Sequence, residues 1–391
     1  MSLPELIAVI AISVILSWIL LHIARNGVLA AEQRVRATPV EAVDPIEANV
    51  ELVHELRALT KRIWFTSYMF GAALAGGGAA GVHWSAIGTG SRLLAGAVLL
   101  AAWALPVVVA PRPVAAAYAR AREIPLALLR SRRVVAIRVI MIAMWVWPTP
   151  VALAVESTVV DRIAFTAVAY LIVVPVAFGL LAPIIARVLA PSQIAPELQR
   201  RLAPLAMKAG VRLQATRVIR SRDRKIANAA QVGWLPGLRS IALTDYLLDS
   251  LSEAEVDAVF AHELGHARGY HAWKRSVVSS AALFCSGCSI IGATARSPML
   301  ALVFVALAAM VAIGQVQRRL AIRQEIAADD VASAIVGPGQ LAAALERLSI
   351  VNALKRDTSA KWDRKVGHPG MAIRIARLQA QELAAVPDPV P

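Results

Sequence analysis

Seven stretches of about 20 apolar residues alternate with polar segments along the chain. Because a bilayer core of roughly 30 Å requires about 20 apolar residues of a helix, each stretch is predicted to be a transmembrane helix. The predicted spans are Leu6–Ile23, Ile63–Trp84, Leu93–Ala110, Val134–Val155, Ile163–Ala186, Val277–Ala295 and Met299–Val316. The pattern is typical of a mainly α-helical, polytopic membrane protein.

The basic residues of the chain lie in blocks between these spans. Of 391 residues 58% are hydrophobic, and the formal net charge is +15. A nucleic-acid-binding domain would carry its basic residues as a stripe on one folded surface, so nucleic acid is not an expected partner. Segments 24–62 and 111–133 hold six Lys or Arg each, whereas the connections on the other side hold one each. Because Lys and Arg collect in cytoplasmic loops, the N-terminus is predicted outside and the C-terminus in the cytoplasm.

The spans divide the chain into four predicted parts. Residues 1–186 contain five spans and their cytoplasmic loops, and residues 277–316 contain two more. The polar segments 187–276 and 317–391 both fall on the cytoplasmic side of what is expected to be a bacterial inner or plasma membrane.

Two features within the spans have a second interpretation. The first span resembles a signal peptide with a weak cleavage site at 28–30, but no positive charge precedes it, which favours a retained helix. Cys285 and Cys288 are interpreted as packing residues of the sixth span. A redox or metal pair would need a second cysteine pair or an electropositive surround.

The first polar segment is predicted to be α+β. Glu197–Gly210 has the pattern of a helix, and Gly233–Gly237 that of a loop. Ser252 and Glu255 have the form of a capping box that begins a long helix. Three short strands are predicted at Arg217–Arg220, Ile226–Val232 and Arg239–Leu243.

That long helix contains the pentapeptide His262-Glu263-Leu264-Gly265-His266. Residues four apart lie on one helical face, so both imidazoles can bind one cation while Glu263 points at a metal-bound water. A zinc ion with three protein ligands lowers the pKa of its water to about 7, and a carboxylate can then take the proton as a peptide carbonyl is attacked. The alternative is a buried helix whose two histidines form local hydrogen bonds.

The best candidate for a third ligand is Glu325, which follows the last span. Glu325 and Asp329 share a helical face, which suits a ligand and a carboxylate that orients a zinc-bound histidine. The alternative is a solvated acidic patch that pairs with Arg318, Arg319 and Arg323.

Two other histidines are weaker candidates for the third ligand. His271 lies about 140° further round the helix than His266 and is interpreted as a solvated or helix-end residue. His368, in a loop, is interpreted as a surface histidine.

Roughly residues 190–380 resemble the integral-membrane gluzincins that include the CAAX prenyl endopeptidase and the HtpX-type proteases. Four elements occur in the family's order, and they are Asn228-Ala229 with Gly233, the His-Glu-Leu-Gly-His helix, Glu325 to Asp329, and His368-Pro369 followed by Arg374-Ile375. Seven spans resemble the CAAX-endopeptidase branch. The resemblance implies a cytoplasmic, zincin-like α+β metalloprotease domain with a small edge-strand sheet.

The resemblance also implies a role for each matching residue. His262, His266 and Glu325 would bind one Zn²⁺ per chain, Glu263 would be the general base, and Asp329 would support a ligand. His368 and Arg374 would lie near the cleft, where His368 would stabilise the oxyanion. Asn228 and Ala229 would begin the edge strand along which a substrate backbone lies.

These patterns favour a membrane zinc endopeptidase that acts on peptide or protein substrates at the bilayer, in quality control or in the processing of lipidated substrates. One alternative is a sensor protease of the BlaR/MecR type, although such a sensor is expected to carry an extracellular ligand-binding domain. The other is a non-catalytic scaffold or transporter with a structural zinc site, against which the presence of Glu263 argues.

Overall fold

A computed structural model of the chain describes residues 3–37, 50–60, 62–63, 66–67, 98, 101–102, 105–106, 108–123, 147–154, 158–294, 300–354 and 369–385. The chain divides into two compact units, and each is discontinuous in sequence. The first contains residues 1–174 and 280–313, and the second contains residues 175–279 and 314–391.

The first unit is helical throughout its described part. Its helices include α1 (Leu3–Ala37), α2 (Arg112–Ala121), α3 (Pro148–Ala154) and α4 (Val159–Val168). Helices α1 and α2 pack together with residues 50–60, which are also helical. Their shared apolar core contains Leu20, Ala24, Val28, Leu56, Ile63, Ala110, Val114 and Ala117. Because small residues supply three of these positions, the helices can approach closely.

Two helices within the described residues are long and apolar enough to cross a membrane. They are Ile7–Val35 and Val159–Leu189, with mean hydropathies of 2.6 and 2.5. The second joins α4, a π-helical turn (Ala169–Val173) and α5 (Val174–Leu189). These helices overlap the first and fifth predicted spans. The second, third and fourth spans lie mostly outside the described residues, and the sixth and seventh are not among these two helices, so a total of seven stays a prediction.

The second unit contains a four-stranded mixed sheet. Its strands are β1 (Ser192–Gln193), β2 (Ala215–Ile219), β3 (Ala229–Val232) and β4 (Ser240–Thr244), in the order β1-β2-β4-β3. The β2–β4 pair is parallel and the other two pairs are antiparallel. Strand β3 therefore lies at one edge of the sheet. The three longer strands agree with those predicted, whereas the two-residue strand β1 has no periodicity that a sequence pattern could show.

The helices of this unit are α6 (Pro196–Lys208), α7 (Asp245–Ser250), α8 (Glu253–Arg268), α11 (Pro338–Val351) and α12 (Met371–Ala385). Between α8 and α11 in the chain lie two longer helices, α9 (His271–Thr294) and α10 (Leu300–Val336), which belong partly to each unit and overlap the sixth and seventh predicted spans. Helix α8 begins at the predicted capping box, in which the side chains of Ser252 and Glu255 each bond the other's backbone N–H.

The core of the second unit lies around α8. Phe260 and Leu264 of α8 are fully buried, together with Leu341 of α11 and Leu378 of α12. Helix α8 also packs against β3 and α11. The helix that carries the pentapeptide is thus held on several sides, which fixes the positions of its polar residues.

Candidate metal centre

The two histidines of the pentapeptide lie one turn apart on α8. Their ring centroids are 4.7 Å apart, and both side chains are largely buried, with exposed fractions of 11% for His262 and 7% for His266. Because residues four apart lie on one face of a helix, the two imidazoles are on the same side of α8.

Helix α10 approaches this turn closely because residue 265 is glycine. A Cβ atom at Gly265 would lie 2.7 Å from both Cα and the carbonyl oxygen of Ala328 on α10. Glu325 lies three residues before Ala328, on the same face of α10, and the contact brings its carboxylate to the two histidines.

The Glu325 carboxylate faces both imidazoles. Oε2 lies 3.5 Å from Nε2 of His262, and Oε1 lies 3.6 Å from Nε2 of His266. One ligand atom from each of the three residues lies within 4.8 Å of the others. Tetrahedral zinc, with bonds of about 2.0–2.1 Å, places its ligand atoms about 3.3 Å apart, so this donor set fits the ion after small shifts.

A buried ion-pair network holds the outer side of His262. Its Nδ1 lies 2.9 Å from Oδ1 of Asp329, which is completely buried. Arg374 of α12 binds the same carboxylate with two hydrogen bonds, Nε to Oδ2 at 2.8 Å and Nη2 to Oδ1 at 2.6 Å. Arg374 Nη1 also lies 3.4 Å from Oε2 of Glu325. A bidentate pair of this kind fixes the planes of both groups.

The two histidines differ in the pKa of their imidazoles. Burial alone would lower the pKa of His262, but hydrogen bonds to Asp329 and Glu325 outweigh burial and raise it to about 9. Burial, assisted by the nearby charge of His262, lowers the pKa of His266 to about 3. His266 therefore presents a neutral imidazole. A cation that binds His262 has to displace a proton, because a ligand nitrogen needs its lone pair.

Glu263 lies on the same turn and is 9% exposed. Burial raises the pKa of its carboxyl group, and the charge of His262 and the backbone amide of Gln231 offset part of this shift. A carboxyl with a raised pKa is suited to accept and return a proton near neutral pH.

A cavity of about 480 Å³ opens onto the three candidate ligands. Its wall includes the predicted substrate-binding residues Asn228 and Ala229, together with Ala230 and Gln231 of the edge strand. Arg275 and Arg374 contribute positive charge to the same wall. The site is therefore a cleft bordered by a strand edge, which an extended peptide could enter.

The structure brings together most of the residues singled out in the sequence, but it corrects the interpretation of His271. His368 lies outside the described residues. His271 is a helix-end residue, as one of the two interpretations had it, but it is 3% exposed rather than solvated, and its Nδ1 lies 2.7 Å from Nδ1 of His266. The prediction assumed an unbroken helix, but α8 ends at Arg268 and His271 begins α9. In the sequence, Gly269 indicates the end of this helix, because glycine often follows the last turn of a helix.

Two histidines and a glutamate between them on one helix, joined by a carboxylate from a later helix, are typical of the metal sites of one class of metallopeptidases. The family model of Peptidase family M48 matches residues 192–382. Residues 192–382 thus resemble an M48 peptidase domain, and the match spans the strands, the pentapeptide helix, Glu325 and Arg374.

A solved structure is similar in fold to this chain. The crystal structure of Ste24p from S. mikatae aligns with 97% of this chain and 100% of its own, with a TM-score of 0.60 and 17% identity. A sequence search of the curated proteins gave no match. The predicted resemblance to the gluzincin family is confirmed, and the findings support a membrane metallopeptidase.

Proposed function

We propose that the chain is a membrane-embedded endopeptidase that depends on zinc and hydrolyses peptide bonds at the cytoplasmic face of the bilayer. The observation that carries this proposal is the convergence of His262, His266 and Glu325 within 4.8 Å beside the buried carboxylate of Glu263. A structural zinc site needs ligands, but it does not need a general base beside them.

Each residue of the site has a proposed role. His262, His266 and Glu325 hold one Zn²⁺ per chain, and Asp329 fixes the tautomer and ring plane of His262. Arg374 holds Asp329 in place and keeps positive charge near the reacting carbonyl. Zinc bound there would acidify a water molecule and polarise the peptide carbonyl.

The protein residues then move the proton and hold the substrate. Glu263 takes the proton of the attacking water and returns it to the leaving nitrogen, which its raised pKa favours. The outer edge of β3, beginning at Asn228 and Ala229, pairs with the extended backbone of the substrate. His368 is proposed to donate a hydrogen bond to the oxyanion.

The expected substrates are peptides or proteins that reach the cleft from the membrane, including lipidated ones. Two apolar helices and the Ste24p-like fold support a site beside the bilayer. Quality control of membrane proteins and processing of lipidated tails both fit such a site.

The test is cleavage of casein and of a panel of prenylated peptides by the detergent-purified full chain. Glu263→Gln should reduce cleavage at least about 10²-fold, since general acid–base catalysis typically contributes 10²–10⁴-fold. Its zinc content should equal that of the wild type, because Glu263 is not a ligand. Glu253→Gln, an exposed position on the same helix, is the matched control. The chelator o-phenanthroline should abolish wild-type cleavage.

The outcomes separate the alternatives. Equal cleavage by wild type and Glu263→Gln would refute the assignment of the base. Zinc binding without any cleavage by the wild type would favour the non-catalytic scaffold or transporter. Cleavage of the chain's own backbone in place of added substrates would favour a sensor protease of the BlaR/MecR type.

A further inference from the structure

The outer side of His266 faces a second imidazole rather than a carboxylate. Nδ1 of His266 and Nδ1 of His271 are 2.7 Å apart, with ring centroids 5.0 Å apart and an interplanar angle of 72°. Both residues are buried. At this distance one nitrogen must carry a proton and the other must accept it.

The role of His266 decides which nitrogen carries the proton. Its Nε2 faces Glu325 at 3.6 Å and must offer a lone pair to bind a cation. A neutral His266 then carries its single proton on Nδ1 and donates it to His271. His271 is the acceptor, so its own proton lies on Nε2.

The turn between α8 and α9 places His271 next to His266. Tyr270 has a φ of 52°, in the left-handed region, and lies between the end of α8 at Arg268 and the start of α9 at His271. Arg239 supports this turn, because its Nη1 donates to the carbonyl of Ala267 at 2.5 Å and its guanidinium lies over the Tyr270 ring.

Gly269 leaves the space that the His271 ring occupies. A Cβ atom at residue 269 would overlap Nε2 and Cδ2 of that ring. The backbone of Gly269 has a φ of −76°, which alanine adopts freely, so the requirement for glycine there comes from the imidazole.

We infer that His271 is a positioning residue that accepts the Nδ1 proton of His266 and holds its Nε2 toward the metal. This inference rests on the proposed zinc site. It gives the two ligand histidines different partners, a carboxylate for His262 and a neutral imidazole for His266. Histidine ligands in metal sites generally donate their other N–H group to a fixed acceptor, and losing that acceptor typically costs 10–100-fold in metal affinity.

The test measures zinc affinity rather than activity. The full chain, purified in detergent, would compete for zinc with a chromogenic chelator. In His271→Asn the amide oxygen replaces Nδ1 as acceptor, so affinity should stay within about threefold of the wild type. His271→Leu has a similar bulk and no acceptor, and it should bind zinc about 10–100-fold more weakly. Equal affinities of the Leu variant and the wild type would overturn the inference.

A second variant keeps the test decisive if His271→Leu does not fold. Gly269→Ala should displace the ring and weaken zinc binding to a similar degree. The double variant Gly269→Ala/His271→Asn, whose shorter side chain clears the added methyl group, should recover affinity. Wild-type affinity in Gly269→Ala, or no recovery in the double variant, would contradict the inference. A wild-type protein that binds no zinc would instead contradict the proposed function itself.

Discussion

At the scale of single residues, the metal site depends on the hydrogen-bond partners that hold each histidine ligand in place. Residue types and helical spacing were sufficient to predict that His262, Glu263 and His266 share a site, and that Glu325 and Asp329 share a face. His271 was not predicted, since a helical wheel has no meaning beyond the end of α8 at Arg268. Nor could spacing show that Arg374 binds Asp329, because 45 residues separate them in the chain.

Asp329→Asn tests the contribution of the carboxylate beside Nδ1 of His262. The substitution keeps the size of the side chain but removes the charge that orients His262 and neutralises Arg374. Zinc affinity should fall about 10–100-fold. The melting temperature should also fall, since breaking a buried ion pair costs about 3–5 kcal/mol.

Asp330→Asn provides the matched control for that experiment. Asp330 is the next residue of α10, is half exposed and pairs with Arg377 at the surface. Exposed ion pairs contribute about 0–1 kcal/mol, so neither zinc affinity nor melting temperature should change measurably. Equal effects of the two substitutions would show that Asp329 has no special part in the site.

At the scale of elements, the site depends on how closely α8 and α10 approach. The sequence predicts both helices, the capping box and the strand at Ile226–Val232, because each has a local signal, whereas the edge position of that strand is implied only by the family resemblance. It could not predict the distance between helices, which depends on the packing of Gly265 against the backbone of Ala328.

Gly265→Ala tests this packing. A methyl group 2.7 Å from backbone atoms of Ala328 would force the two helices apart and move Glu325 away from both histidines. Packed helices transmit such strain rather than absorb it. We expect zinc affinity to fall at least about tenfold and the melting temperature to fall, as measured by chelator competition and thermal unfolding.

Gly314→Ala is the control for Gly265→Ala. Gly314 lies on α10, and an added Cβ there would meet no atom within 4 Å among the described residues. Replacing a helical glycine by alanine stabilises a helix by about 0.8–1.0 kcal/mol, so this variant should keep or slightly gain stability. Unchanged zinc affinity in both glycine variants would contradict the packing argument.

At the scale of the whole molecule, the metal centre is assembled from distant parts of the chain. Helix α8 supplies two ligands, and α10 supplies Glu325 after two predicted spans. Charge counting predicts both polar segments on one side of the membrane, and the ligands do meet within the second unit. Orientation itself stays a prediction, as do spans whose residues lie outside those described.

The most direct measurement of the central claim is the zinc content of the detergent-purified full chain. After reconstitution with zinc and removal of free ion, elemental analysis should give about one zinc per wild-type chain. Glu325→Gln should hold far less, since an amide oxygen is a much poorer zinc ligand than a carboxylate. Glu197→Gln, an exposed position on α6, should match the wild type. No zinc in the wild type, or full zinc in Glu325→Gln, would contradict the assignment of this site.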